Sequence, residues 1–125
     1  MIYGIGIDIV NISRIQSAVE RWGEGFLNKI FTEKEIEYCY KKKVPFPSLA
    51  VRFAAKEALI KSLGNNVSVS LKDIEVGTSE AGKPFMVVHG HIKTFIEQKN
   101  ITKVHLSLSH ERDYGIASVV LEGRG

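Results

Sequence analysis

The stretch from Leu49 to Leu63 constrains this chain more than any other, because it has the length of a helix and is apolar nearly all round, interrupted only by Arg52, Lys56, Glu57 and Lys61. A helix without a polar face must be covered on every side. The rest of the chain therefore has to supply layers around it. Pro45 and Pro47 break the chain before this stretch, Ser48 stands where an N-cap is needed, and Gly64 stands where a helix stops. Charges in such a helix need a reason. Glu57 and Lys61 are one turn apart and project from the same side, and at about 100° per residue Ala50 and Ala54 share their stripe. The spacing predicts either a shallow furrow of small side chains open to a ligand, or an ordinary intrahelical ion pair.

Residues 2 to 10 alternate, with Ile5, Ile7 and Ile9 on one face of a strand and Gly4, Gly6 and Asp8 on the other. Glycine inside a strand marks the close approach of another backbone or a ligand, which singles out Asp8. Ile12, Ile15, Val19 and Trp22 then recur at helical spacing, and Thr32 with Glu35 reads as the capping box of a second helix running to about Lys43. The second half reads as strands. Val67 to Val76 and Phe85 to His89 flank a Gly82-Lys83-Pro84 turn, a helix covers His91 to Lys99, and Val104 to His110 pairs with Tyr114 to Leu121. The order β-ααα-ββ-α-ββ predicts one α+β domain over residues 1–125, a mainly antiparallel sheet packed against the long central helix.

With 125 residues, 44% of them hydrophobic, the chain closes only a modest pocket by itself, so a site completed by a neighbouring subunit is expected. The net charge of +3 suits an acidic partner or a phosphate-bearing ligand. Lys41 to Lys43, Arg14 and Arg21 are not interleaved with aromatic residues as single-strand grooves require, so no nucleic acid partner is expected. Cys39 is the only cysteine, which excludes an intramolecular disulfide and a cysteine metal cluster. No stretch approaches the ~20 apolar residues of a membrane span and no basic leader precedes the first strand. A soluble cytoplasmic protein without a membrane partner is expected.

Asp8 and Glu57 together have the chemistry of a Mg²⁺ site, since Mg²⁺ takes hard oxygen ligands and rarely receives them all from protein. His105, Ser107 and Ser109 share one strand face able to hydrogen-bond phosphate. Ser109 and His110 point apart and lack a nucleophile elbow, so they do not form a hydrolase pair. His89 and His91 flank Gly90 without a third ligand at metal spacing and read as surface histidines.

Three segments in order resemble a known family: Gly4-Ile5-Gly6-Ile7-Asp8-Ile9-Val10 with Arg14-Ile15, Arg52-Phe53-Ala54-Ala55-Lys56-Glu57-Ala58 with Lys61, and His105-Leu106-Ser107-Leu108-Ser109-His110. Together with the Gly82-Lys83-Pro84 turn, they are similar to the small, trimeric phosphopantetheinyl transferases of the holo-acyl-carrier-protein synthase type. The resemblance implies transfer of phosphopantetheine from coenzyme A to a serine of an acyl carrier protein, in support of fatty acid biosynthesis. It implies coenzyme A bound between subunits of a homotrimer, Asp8 and Glu57 as Mg²⁺ ligands, and Lys61 and His105 near the phosphates. It also implies Gly82, Lys83 and Pro84 at the adenine end, with Arg14 and Arg21 facing the carrier protein. The serine proton would pass to Glu57 or to a metal-bound water. One departure is Asn65-Asn66 after Gly64, where the family carries a glycine-rich stretch at the pocket edge; asparagine tolerates the left-handed backbone such a turn needs. Two other readings fit the same residues: a Mg²⁺-dependent nucleotide pyrophosphate hydrolase, and a non-catalytic module that binds coenzyme A or an acidic protein.

Overall fold

A computed structural model describes residues 1–64 and 67–124, so the Asn65-Asn66 departure lies outside the described residues. The element order is β1 (Ile2–Asn11), α1 (Ile12–Trp22), α2 (Glu24–Ile30), α3 (Glu33–Tyr40), α4 (Phe46–Leu63), β2 (Ile74–Thr78), β3 (Pro84–Val88), α5 (Gly90–Gln98), β4 (Ile101–His110) and β5 (Tyr114–Gly123). This is an α+β architecture with all strand pairs antiparallel. The strands divide into a three-stranded sheet in the order β1-β5-β4 and a separate β2-β3 hairpin. Among the described residues, no helix is long and apolar enough to cross a membrane.

The central helix α4 begins at Phe46 rather than Leu49, with Pro47 inside its first turn and Ser48 buried in the helix instead of capping it. Proline is tolerated there because the first amide groups of a helix have no intrahelical acceptor. Asn11 caps α1 by accepting from the Ser13 amide, and the Thr32–Glu35 capping box opens α3. Trp22 departs from the expected core stripe of α1 and stays exposed. The helix α2, which starts just after Gly23 and contains Gly25, is an element that the periodicity did not predict. Residues 67–70 take no regular structure and Leu71–Asp73 forms a 3-10 turn, so β2 is only the end of the expected Val67 to Val76 strand.

The way β1 meets α4 decides where the site lies. A methyl group at Gly6 would stand 1.8 Å from the Ala58 carbonyl oxygen, and one at Gly4 would stand 2.0 Å from that of Ser62. Only glycine allows the strand backbone to lie on the helix backbone at this distance. The furrow of Ala50 and Ala54 is closed within the core, Ala54 beneath the sheet and Ala50 among the residues of α1 and α2, with both fully buried, and it is not a ligand channel. The glycine row of β1 joins Ala117, Val119 and Leu121 of β5 and Val104, Leu106 and Leu108 of β4 on the helix side of the sheet. Leu59, Ile74, Ile92, Val119 and Leu121 pack there, each contributing roughly 1.5–3 kcal/mol by leaving water.

Candidate active site

Asp8 follows Gly6 on the helix side of β1, so the close strand–helix contact delivers its carboxylate to the Glu57–Lys61 turn of α4. Lys61 does not pair with Glu57 along its own helix; its ammonium bonds Asp8 Oδ1 at 2.8 Å and the Ile7 carbonyl oxygen at 3.2 Å. That bond holds the Lys61 ammonium above its usual pKa. Burial, and then the neighbouring Asp8 charge, push the Glu57 carboxyl up, with Lys61 opposing. Glu57 is half-buried and makes no hydrogen bond or ion pair among the described residues. Two adjacent carboxylates, one of them uncompensated, suit a hard cation that completes its shell with other oxygens. No group of three or more His, Cys, Asp or Glu residues able to hold a metal occurs among the described residues, so a structural zinc-type centre is not built here.

Asp8 and Glu57 form one end of an open cavity of about 370 Å³ whose apolar wall is Val10, Ile15, Ala18, Phe26 and Phe53 and whose basic rim is Arg14. Arg21 does not line it; its guanidinium lies over the Trp22 ring, 5.0 Å from the centroid. The apolar wall with its cationic Arg14 edge is complementary to an amphipathic acidic surface.

Lys83, Pro84 and His105 line a second cavity, between the β2-β3 turn and β4. His105 Nε2 lies 2.8 Å from Glu122 Oε1, and that hydrogen bond holds the Glu122 carboxyl below its usual pKa. Gly82 lines the adjoining cavity with Lys42, Arg52, Thr78 and His110. Residue spacing did not single out Arg52, Tyr38 or Lys42 as site residues. Arg52 is 3% exposed; it donates to the Ser48 carbonyl and the Thr78 hydroxyl and stacks on the Tyr38 ring, 4.4 Å from the centroid. Its buried Nε has no partner. The available signal was an arginine in an otherwise apolar helix.

The two groups face opposite sides of the sheet. Asp8 aligns with Ala117 and Leu108 on the helix side, whereas His105 aligns with Val120 and Ile5 on the outer side. One chain therefore does not bring Asp8, Glu57 and Lys61 together with His105. That outer face also carries Ile5, Ile7 and Ile9, between 58% and 66% exposed.

An α+β chain with an acid pair on a strand–helix contact and a separate cavity lined by Lys83 and His105 beside a hairpin has the charge arrangement of a phosphate-handling site. Residues 4–119 match the 4'-phosphopantetheinyl transferase superfamily, and the chain belongs to that family. It is 48% identical over 123 residues to the holo-[acyl-carrier-protein] synthase of Halothermothrix orenii, covering 98% of both chains. Its fold superposes on the synthase from Neisseria meningitidis with a TM-score of 0.89 at 37% identity, covering 98% of this chain and 99% of that one. The Helicobacter pylori synthase, solved in complex with coenzyme A, gives a TM-score of 0.82 at 34% identity, with coverage of 94% and 99%.

Proposed function

We propose that this chain is a holo-acyl-carrier-protein synthase, which moves the phosphopantetheine arm of coenzyme A to a serine hydroxyl of an apo acyl carrier protein and releases adenosine 3',5'-bisphosphate. The observation that carries the reading is the Asp8–Glu57–Lys61 cluster at the end of a cavity with an apolar wall and a basic rim, on a fold shared with synthases.

Asp8 and Glu57 would hold Mg²⁺, and the bound ion would supply charge neutralisation at the pyrophosphate. Lys61 reaches into solvent from this cluster, its side chain 54% exposed, and stabilises negative charge on the transferred and leaving oxygens. Asp8 is engaged by Lys61, so Glu57 retains free oxygen lone pairs for a cation and for the serine proton. Arg14 and the wall formed by Ala18, Phe26 and Phe53 receive the carrier protein, with Arg21 farther along the same helix. Lys83, Pro84 and His105 hold the far end of coenzyme A, and Gly82 borders the adjoining cavity, whose lining includes the cationic Lys42 and Arg52.

Asp8 and His105 lie on opposite sheet faces, so a complete site takes Asp8 from one subunit and His105 from another. A homotrimer that packs the outer isoleucine rows against one another meets this need, because monomers rarely leave such a contiguous apolar face in water. The compartment is the cytoplasm, where coenzyme A and carrier proteins meet. Release of adenosine bisphosphate with apo carrier protein tests the assignment. Asp8→Asn and Glu57→Gln should each lower it by at least ~10²-fold while folding is retained; near-native turnover in either would remove the acid pair from the mechanism.

A further inference from the structure

The mechanism leaves unused the most deeply buried charges in the molecule, Lys56 and Glu35, whose side chains are both 0% exposed. Lys56 Nζ bonds Glu35 Oε1 at 2.7 Å, the Ile30 carbonyl oxygen at 2.8 Å and that of Leu71 at 3.0 Å. Glu35 in turn accepts from the amides of Thr32 and Val76, each at 2.9 Å. Every donor of the ammonium is used. One pair thus joins α2, α3, the approach to β2 and β2 itself to α4.

The hairpin needs such a joint. β2 and β3 pair only with each other and share no ladder with the main sheet. Among the described residues, the polar bonds that tie it to the helices are side-chain bonds: Glu35 to the Val76 amide, Thr32 to Glu75 at 2.6 Å, and Arg52 to Thr78 at 3.0 Å, with Lys56 holding Leu71 just before it. Lys56 and Arg52 stand one turn apart on α4. The first is saturated, and the second keeps a buried Nε without a partner. The cavity bordered by Gly82, Pro84, Tyr38 and Arg52 takes its lining from α3, α4 and the hairpin, which the Lys56–Glu35 pair joins, and from Leu106 to Leu108 and His110 of β4.

We infer that Lys56 and Glu35 are positioning residues for coenzyme A, setting the seat of the β2-β3 hairpin on α3 and α4 and with it the shape of the nucleotide end of the site. This rests on the reading that the nucleotide end lies at Gly82 to Pro84. Lys56 neighbours Glu57 on α4, but its ammonium bonds only Ile30, Glu35 and Leu71, and the pair makes no bond to Asp8, Glu57 or Lys61, so the pair governs affinity for coenzyme A more than the transfer step.

The test compares the native full-length chain with Glu35→Gln and with Lys56→Met/Glu35→Gln, the double variant leaving no uncompensated buried charge. Binding of coenzyme A and of adenosine 3',5'-bisphosphate is measured by calorimetry, KM and kcat are measured with saturating carrier protein, and hydrogen exchange is followed at the Val76 amide. Affinity for both ligands should fall by about 10-fold, the scale of one misplaced hydrogen bond to a charged group. KM for coenzyme A should rise in parallel, kcat should stay within about 3-fold because the acid pair is untouched, and Val76 exchange should quicken. A merely structural role would lower the active fraction, and so the apparent kcat, at unchanged KM and unchanged affinity. That pattern, in either variant that folds, or failure of both to fold, would overturn the inference. A native chain that binds neither ligand would overturn the functional reading and this inference with it.

Discussion

Lys61 was legible as a charge one turn from Glu57, but its partner was not, because helical spacing describes only contacts within the helix. The strand that slides across α4 brings Asp8 closer, and the ion pair forms between elements. Glu57 is left beside a like charge, with consequences for stability. Its folded-state pKa is raised by burial and by Asp8, so the folded protein binds more protons than the unfolded chain between the ordinary carboxylate range and the raised value. Metal-free protein should therefore lose stability as pH rises through that window. Glu57→Gln should remove this slope and match or exceed the native chain in chelator at neutral pH; thermal melts across the acidic range decide it, and a Gln variant less stable at every pH would contradict the account. At the other buried charge, Lys56→Met alone leaves Glu35 uncompensated and should cost about 3–5 kcal/mol in denaturant unfolding. A loss below about 1 kcal/mol would mean that the pair is solvated in a way its burial does not suggest.

The long helix, the capping box, the hairpin and the last strand pair could all be read from periodicity and turn residues. What periodicity could not show was which face of β1 is buried. Hydrophobicity favours the isoleucines, yet the glycine row lies on the helix, since contact between two backbones needs an absence of side chain rather than an apolar one. The helix α2 was obscured by the glycines at its start, and β2 was overextended because Val67 and Val69 alternate with serines while packing against the core outside any ladder. Gly6→Ala tests the strand–helix contact. Its added methyl would collide with the Ala58 carbonyl, so unfolding free energy should drop by about 2–3 kcal/mol and transfer should fall with it; a stable, active variant would mean that β1 can rise off α4 without disturbing Asp8. On α1, Arg14 borders the acid-pair cavity and Arg21 does not. Arg14→Glu should accordingly raise KM for the carrier protein more than Arg21→Glu, each with coenzyme A affinity nearly unchanged.

At the scale of the molecule, the candidate residues were legible one by one but not their separation onto two faces of a sheet, because faces are assigned by register and register is a tertiary fact. On the proposed reading, that separation makes assembly into a trimer a requirement of the chemistry rather than an accessory. Ile7→Glu should sediment as monomer and lose transfer although its own Asp8 cluster is intact. Mixing Asp8→Ala chains with His105→Ala chains, each impaired alone, should restore transfer once they exchange into common trimers; mixed trimers without activity would place both residues in one subunit's site. The central claim is the reaction itself, and intact mass spectrometry of an apo acyl carrier protein incubated with this chain, coenzyme A and Mg²⁺ tests it most directly. The account predicts a mass gain of one phosphopantetheine that disappears with chelator. An unchanged carrier mass, with coenzyme A either intact or hydrolysed, would contradict it.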